Sequence, residues 1–188
     1  MKKIFIFGAY GFLGSYLCKF LKKKGYKVFK QGRGIKSQIV LRPSNTKKIE
    51  KTLLSINPQI IINLIAETDV KKCETNLKNA KFVNAGIVKN IVSVIKKINK
   101  KQRNLFLIHI STDSVYGNMG PHNENNIKLI NNYAKTKFLG ELEARKTKSA
   151  ILRTNFIGKN SDKKHKPLSD WIINSLKKRK KIKVFNDV

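Results

Sequence analysis

The stretch Ile4-Phe5-Ile6-Phe7-Gly8-Ala9-Tyr10-Gly11-Phe12-Leu13-Gly14 decides the fold. Its first four residues are β-branched or aromatic, and such an apolar run reads as a buried strand. Gly8, Gly11 and Gly14 follow at three-residue spacing, and an apolar-periodic segment from Leu13 to Leu21 reads as a helix. Strand, glycine turn and helix together open a dinucleotide-binding unit. One glycine permits a turn with positive φ, one lets the backbone approach a pyrophosphate, and one lets helix pack closely on strand. The phosphates then meet the unpaired N–H groups and the positive end of the helix dipole. On this reading Gly8, Tyr10, Gly11, Phe12, Leu13 and Gly14 bind cofactor; a glycine turn in some other α/β protein is the competing reading.

Gly25 ends the first helix, and Tyr26-Lys27-Val28-Phe29 reads as a second strand. The end of that strand meets the adenosine ribose, where an acid favours NAD and an arginine favours the 2′-phosphate of NADP. Here the chain reads Lys30-Gln31-Gly32-Arg33 with no acid. NADPH is therefore expected, with Arg33 and Lys30 near the extra phosphate; NADH stays open, as does a merely solvated Arg33. Gln38 to Leu41 reads as a short strand, and Thr46 to Ile56 as a helix capped by Ser44 or Asn45. Gln59 to Ala66 is a near-continuous apolar strand, as in a parallel sheet covered on both faces.

From Asn79 a long helix is expected, with Val83, Ile87, Ile91, Val94 and Ile98 as its core stripe. Leu105 to Ile110 reads as a strand ending at Ser111-Thr112-Asp113, and a polar loop spans Gly117 to Asn126. A helix from about Asn131 to Lys146 precedes a strand, Ala150 to Leu152, that ends at Arg153-Thr154-Asn155. Pro167 to Leu176 reads as helix and Lys181 to Phe185 as extended. This alternation predicts an α/β fold: a Rossmann-type, doubly wound parallel sheet with helices on both faces. Ligands bind beyond the carboxyl ends of such strands, so Gly8 to Gly14, Ala66-Glu67-Thr68, Ser111 to Asp113 and Thr154-Asn155 are expected to converge.

Composition narrows the function classes. The 188 residues carry 41 Lys+Arg against 11 Asp+Glu, a formal charge of +30. That charge attracts any polyanion, but the lysines are spread along the whole chain among Ile and Asn rather than clustered. Nucleic acid is thus not expected as the primary partner. Cys18 and Cys73 make no disulfide framework and fit a reducing cytoplasm. Met1-Lys2-Lys3 before an apolar stretch mimics a secretory leader, but Gly8, Gly11 and Gly14 interrupt it and the dinucleotide reading explains it better. No run is long and apolar enough to span a bilayer, so no membrane partner is expected, and no metal site is read.

Tyr133-Ala134-Lys135-Thr136-Lys137 sets a tyrosine and a lysine four apart, on one face of the expected helix. A phenol of pKa near 10 is a poor acid–base group at neutral pH. A nearby ammonium favours phenolate and lowers that pKa. Lys137 can also hydrogen-bond the nicotinamide ribose. Thr112, at a strand's end, can donate to a carbonyl oxygen that gains negative charge during hydride transfer.

With these motifs the chain resembles the extended short-chain dehydrogenase/reductase superfamily. The resemblance rests on Gly8-x-x-Gly11-x-x-Gly14, Asn63-Leu64-Ile65-Ala66-Glu67-Thr68, Asn84-Ala85-Gly86, Ser111-Thr112-Asp113-Ser114-Val115-Tyr116-Gly117, Tyr133-x-x-x-Lys137 and Leu152-Arg153-Thr154-Asn155-Phe156-Ile157-Gly158. Within that superfamily it is most similar to the dTDP-4-dehydrorhamnose reductases and related nucleotide-sugar reductases. Cys73-Glu74 and Ala134-Lys135-Thr136-Lys137-Phe138-Leu139-Gly140-Glu141 point there.

The resemblance implies NADPH-dependent reduction of the C4 ketone of a dTDP-linked 6-deoxy-4-keto sugar. Tyr133 would protonate the alkoxide, Lys137 would tune Tyr133 and hold the ribose, and Thr112 would polarise the ketone. Backbone around Ile65 and Ala66 would line the nicotinamide side, with Thr68, Thr112, Asp113 and Asn155 on the substrate. Residues 1–155 would form the cofactor domain and 156–188 the beginning of a truncated substrate lobe, since family members run roughly a hundred residues longer. A homodimer is a family-level expectation. Two departures stand out: Leu41-Arg42-Pro43 replaces the acid common after the third strand, and the resemblance implies that most of the substrate lobe would lie beyond these residues. A sugar-nucleotide epimerase or dehydratase remains the alternative enzyme. A non-catalytic dinucleotide-binding subunit, like the regulatory subunit of methionine adenosyltransferase, remains the alternative outside catalysis.

Overall fold

Six short apolar strands pair in parallel: β1 (Lys3–Phe7), β2 (Lys27–Gly32), β3 (Ile39–Val40), β4 (Ile60–Asn63), β5 (Phe106–Ser111) and β6 (Ser149–Arg153). Their order is β3-β2-β1-β4-β5-β6, the doubly wound order expected from the sequence. The computed structural model describes residues 1–100, 103–117, 120–156, 158 and 168–182. The chain runs from β1 to one edge and resumes beside β1 at β4. The strand order therefore reverses between β1 and β4, where the loops after both strands diverge and open a crevice.

Seven α-helices occur among the described residues: α1 (Phe12–Lys23), α2 (Thr46–Ile56), α3 (Val70–Thr75), α4 (Leu77–Lys81), α5 (Ile87–Asn99), α6 (Asn132–Ala144) and α7 (Leu168–Lys177). Alternating strand residues face opposite layers. Ile4, Ile6, Val28 and Ile62 pack with Cys18 of α1. Phe5, Phe7, Ile61 and Leu107 pack on the other side with Ile49 and Leu53 of α2 and Ile91 and Ile95 of α5. The stripe read from Ile87, Ile91, Val94 and Ile98 is buried core.

Several boundaries differ for local physical reasons. β4 ends at Asn63 rather than Ala66, because the Asn63 Oδ1 accepts the Ile65 N–H at 3.2 Å and turns the chain out of the sheet. Ahead of the long helix lie α3 and α4, capped by Asp69 and Asn76, whose side chains accept from Lys72 N and Asn79 N. α4 joins α5 through one π-helical turn, Phe82–Gly86. Asn45 rather than Ser44 caps α2. Lys181 and Ile182 are not in a strand; Pro167 and residues 183–185 lie outside the described residues.

α6 is held on the sheet by charge. The Glu141 carboxylate is fully buried, and Arg153 of β6 donates to both its oxygens, Nη2 to Oε2 at 2.7 Å and Nε to Oε1 at 2.9 Å. Ser111 Oγ of β5 adds a donor at 2.5 Å. Arg153 Nη1 also donates to Tyr116 Oη and to the Glu124 carbonyl. Removing one member of a buried pair strands the other without water. Glu141→Leu should therefore lower unfolding free energy by about 3–5 kcal/mol in urea titration, and Arg153→Met added to it should recover most of that loss.

Candidate active site

The three glycines of the first loop meet three different constraints. Gly8 has φ +74°, where a side chain is strained, and a Cβ there would come within 3.2 Å of Ile65 on the loop after β4. Gly14 is buried in α1, and a Cβ would approach Gly8 O at 2.6 Å and Ala9 C at 2.7 Å. Gly11 is exposed with φ −75°. A Cβ there would meet only Gly8 O at 3.4 Å. Its bareness therefore leaves backbone open to a ligand rather than satisfying the fold. Gly11 also caps α1 without a side-chain hydrogen bond, and Phe12 and Leu13 form the first turn. An anion at this helix N-terminus fits the loop, so the residues present suit a dinucleotide pyrophosphate.

At the end of β2, Gln31 is buried with its amide fixed at both ends. Its Oε1 accepts Gly8 N–H at 2.9 Å and its Nε2 donates to the Leu41 carbonyl at 2.5 Å. Gln31 thereby braces the glycine loop instead of facing a ribose. Tyr10 covers the adjoining surface: its hydroxyl accepts Gln38 N–H at 2.7 Å, and Lys30 Nζ lies 5.4 Å from its ring centre. Arg33 is exposed just beyond.

The sequence-derived triad gathers where β5 meets α6. Thr112 Oγ1 accepts Ser114 N–H at 3.2 Å, capping a short 3-10 turn over Asp113–Val115. Its hydroxyl also donates toward Asp113 Oδ1 at 3.2 Å and Ser114 Oγ at 3.1 Å, and it lies close enough to the Tyr133 phenol to favour phenolate. Thr112 therefore serves as both turn cap and neighbour of the phenol. Glu74 of α3 accepts from Asn132 N at 2.7 Å and Asn132 Nδ2 at 2.6 Å. That carboxylate sits at the α6 N-terminus, next to Tyr133, where negative charge is favoured.

Burial pushes the Tyr133 phenol above its ordinary value, against the neighbouring Thr112 hydroxyl, with Asp113 and Cys73 adding to the rise. The expected lowering by Lys137 is not found. Lys137 is buried and donates from Nζ to the Ile110 carbonyl at 2.6 Å. Desolvation lowers its amine to about 8, with Glu141 pulling upward. A partly neutralised lysine whose proton is directed at a carbonyl does little to stabilise phenolate.

Behind these groups lies a buried polar layer that pattern reading missed. Asn63 Nδ2 meets His109 Nδ1 at 3.2 Å. Asn84, on the π-helical turn, donates to Thr136 Oγ1 at 3.0 Å and Glu67 O at 3.2 Å, and accepts Glu67 N–H at 2.8 Å. Each partner is distant in sequence, so no spacing signals it; only the Asn63-Leu64-Ile65-Ala66-Glu67-Thr68 and Asn84-Ala85-Gly86 motifs marked the region. Ile65 and Ala66 are partly buried beside Gly8, while Thr68, Asp113 and Asn155 are exposed at the ends of β4, β5 and β6. The Asn155 Oδ1 accepts Phe156 N–H at 2.9 Å, so in this state it orders its own loop.

The RmlD substrate binding domain family matches residues 1–188. The dTDP-4-dehydrorhamnose reductase of Escherichia coli K12 is 30% identical over 151 residues, covering 77% of this chain and 47% of the relative. A reductase of the same name from Yersinia enterocolitica superposes with a TM-score of 0.78 at 27% identity, over 95% of this chain and 61% of that one. The reductase from Bacillus anthracis in complex with NADP gives a TM-score of 0.68 at 26% identity, over 81% of this chain and 53% of that one. The chain spans about half the length of the curated relatives it matches. A match running through every residue makes this chain a member of the RmlD substrate binding domain family.

Proposed function

We propose that this chain binds NADPH across Gly8–Gly14 and reduces the C4 ketone of a nucleotide-linked 6-deoxy-4-keto sugar. The observation that carries this reading is the meeting, at the carboxyl edge of one parallel sheet, of a bare glycine turn and the neighbouring Thr112 and Tyr133 hydroxyls above buried Lys137. The names of the reductase relatives and the NADP held by one of them support it. Residues 1–155 form the cofactor unit, and 156–188 begin the substrate lobe.

Bound NADPH supplies a hydride to the ketone carbon. Thr112 donates to the ketone oxygen, where negative charge grows. Tyr133 gives its phenolic proton to that oxygen, so ketone, hydride and proton yield the alcohol. A phenol held above its ordinary pKa stays protonated at neutral pH, the form a proton donor needs. Lys137 holds the ribose with its ammonium. Ile65 and Ala66 wall the nicotinamide side, and Thr68, Asp113 and Asn155 face the sugar nucleotide. Arg33, with no acid at the end of β2, meets the 2′-phosphate.

Tyr133→Phe should lower turnover of a dTDP-4-keto-6-deoxy sugar by about 10²–10⁴-fold while NADPH binding changes little; equal turnover in the variant would remove Tyr133 from the reaction. Because Lys137 loses its proton near pH 8, its charge is present below that pH and lost above it. The rate should therefore fall as pH rises through about 8, and Lys137→Met should erase that limb along with most activity. Arg33→Ala should weaken NADPH about tenfold, the loss of one charge-assisted contact, and leave NADH unchanged. Titration of cofactor fluorescence reads this directly, and no NADPH binding by the parent chain would overturn the reading.

A further inference from the structure

His109 lies on β5, fully buried and directly opposite Asn63 of β4 in the strand register. It has no assigned part in the chemistry above, and its Nε2 is the one buried side-chain polar atom without a partner among the described residues. Two hydrogen bonds fix its state. The Ile65 backbone N–H can only donate, so the Asn63 atom facing it is the amide oxygen, at 3.2 Å. The Asn63 NH2 group then faces His109 Nδ1, also at 3.2 Å, and that nitrogen must be an unprotonated acceptor. The proton of neutral His109 consequently sits on Nε2, against the backbone of Gly140, where a Cβ would approach Nε2 at 3.3 Å.

We propose that His109 is a positioning residue for the cofactor-side loop. It acts through one lone pair: Nδ1 orients the Asn63 amide, Asn63 holds the Ile65 N–H, and Ile65 packs over Gly8. The same imidazole lies against Gly140 of α6, one turn beyond Lys137, whose Nζ binds the carbonyl of the next residue on β5, Ile110. One side chain thus sets the nicotinamide-side wall relative to the catalytic helix. The link to cofactor rests on the reading of Ile65 and Ala66 as that wall; the link from His109 to Ile65 does not.

Two variants separate the lone pair from the bulk of the ring. His109→Asn keeps an acceptor where Nδ1 stands but leaves a gap; His109→Leu fills space but offers none. Amide hydrogen exchange in the cofactor-free full chain should speed at Ile65 by about tenfold in His109→Leu, as expected for one released hydrogen bond, with neighbouring strand amides unchanged. His109→Asn should exchange at Ile65 as the parent does, even where its thermal midpoint falls further. NADPH affinity should follow the same order, about tenfold weaker in His109→Leu and near parental in His109→Asn. A ¹⁵N spectrum of the parent should show His109 protonated on Nε2 alone. Unchanged Ile65 exchange or unchanged NADPH affinity in His109→Leu overturns the proposal, as does an Nδ1-protonated ring or a loss in both variants that tracks the thermal midpoint. If the parent chain binds no NADPH, the functional reading falls, and Ile65 exchange alone decides the role of His109.

Discussion

Glu141 keeps a carboxylate where no water reaches it, and the position of α6 follows from that constraint. A buried charge is tolerable only where opposite charge and donors come to it. Here they come from two strands, Arg153 of β6 and Ser111 of β5, so α6 can settle only across that pair. Tyr133, Lys137 and Glu141 are spaced four apart and share one helix face. Anchoring the last of them therefore aims the first two at the carboxyl end of β5. Glu141 also draws the Lys137 amine back toward its charged form against the cost of burial. The ion pair that seats the helix and the field that sets the lysine are the same arrangement.

Burial decides the state of the phenol. A lysine four residues away was expected to pull Tyr133 down, and desolvation instead pushes it up. The reason is that Lys137 is itself desolvated and donates its hydrogen bond to the Ile110 carbonyl. The direction suits the proposed ketone reduction, in which the side chain would hold a proton until the alkoxide forms. A lowered phenol would favour the reverse reaction, in which tyrosinate accepts a proton. Burial thus outweighs the neighbouring Thr112 hydroxyl, and the charges of Asp113 and Cys73 act with it.

What was legible in the sequence shares a physical cause: it is encoded by neighbours along the chain. The glycine turn shows because backbone geometry demands residues without Cβ at fixed offsets. α5 shows because Ile87, Ile91, Val94 and Ile98 repeat at helical spacing, and Tyr133 with Lys137 because one turn of helix joins them. The hidden parts are encoded by partners far apart. Asn63 reads as one more residue of an apolar strand until His109, on the neighbouring strand, claims its amide. Gln31 reads as a residue of cofactor choice until Gly8 and Leu41 occupy both ends of it. The polar run from Asp69 to Asn79 hides two short helices because their caps, not an apolar stripe, define them. The fold was therefore readable almost whole, and the site only in its reactive face.

The same distinction between local and distant terms bears on cofactor choice. A formal charge of +30 raises the concentration of any phosphorylated ligand near the surface. Such a field is screened over about 10 Å at ordinary salt and acts on the pyrophosphate of NADH as well as that of NADPH. It speeds encounter and adds little discrimination. Selection between the two falls to groups within contact of the adenosine ribose. There Gln31, which is engaged at both ends, cannot turn outward without releasing Gly8 and Leu41. Replacing it by an acid would trade the Nε2 donor to the Leu41 carbonyl for a repulsion between carboxylate and carbonyl. Gln31 turned inward therefore leaves no acid at the end of β2, and the exposed Arg33 lies just beyond it.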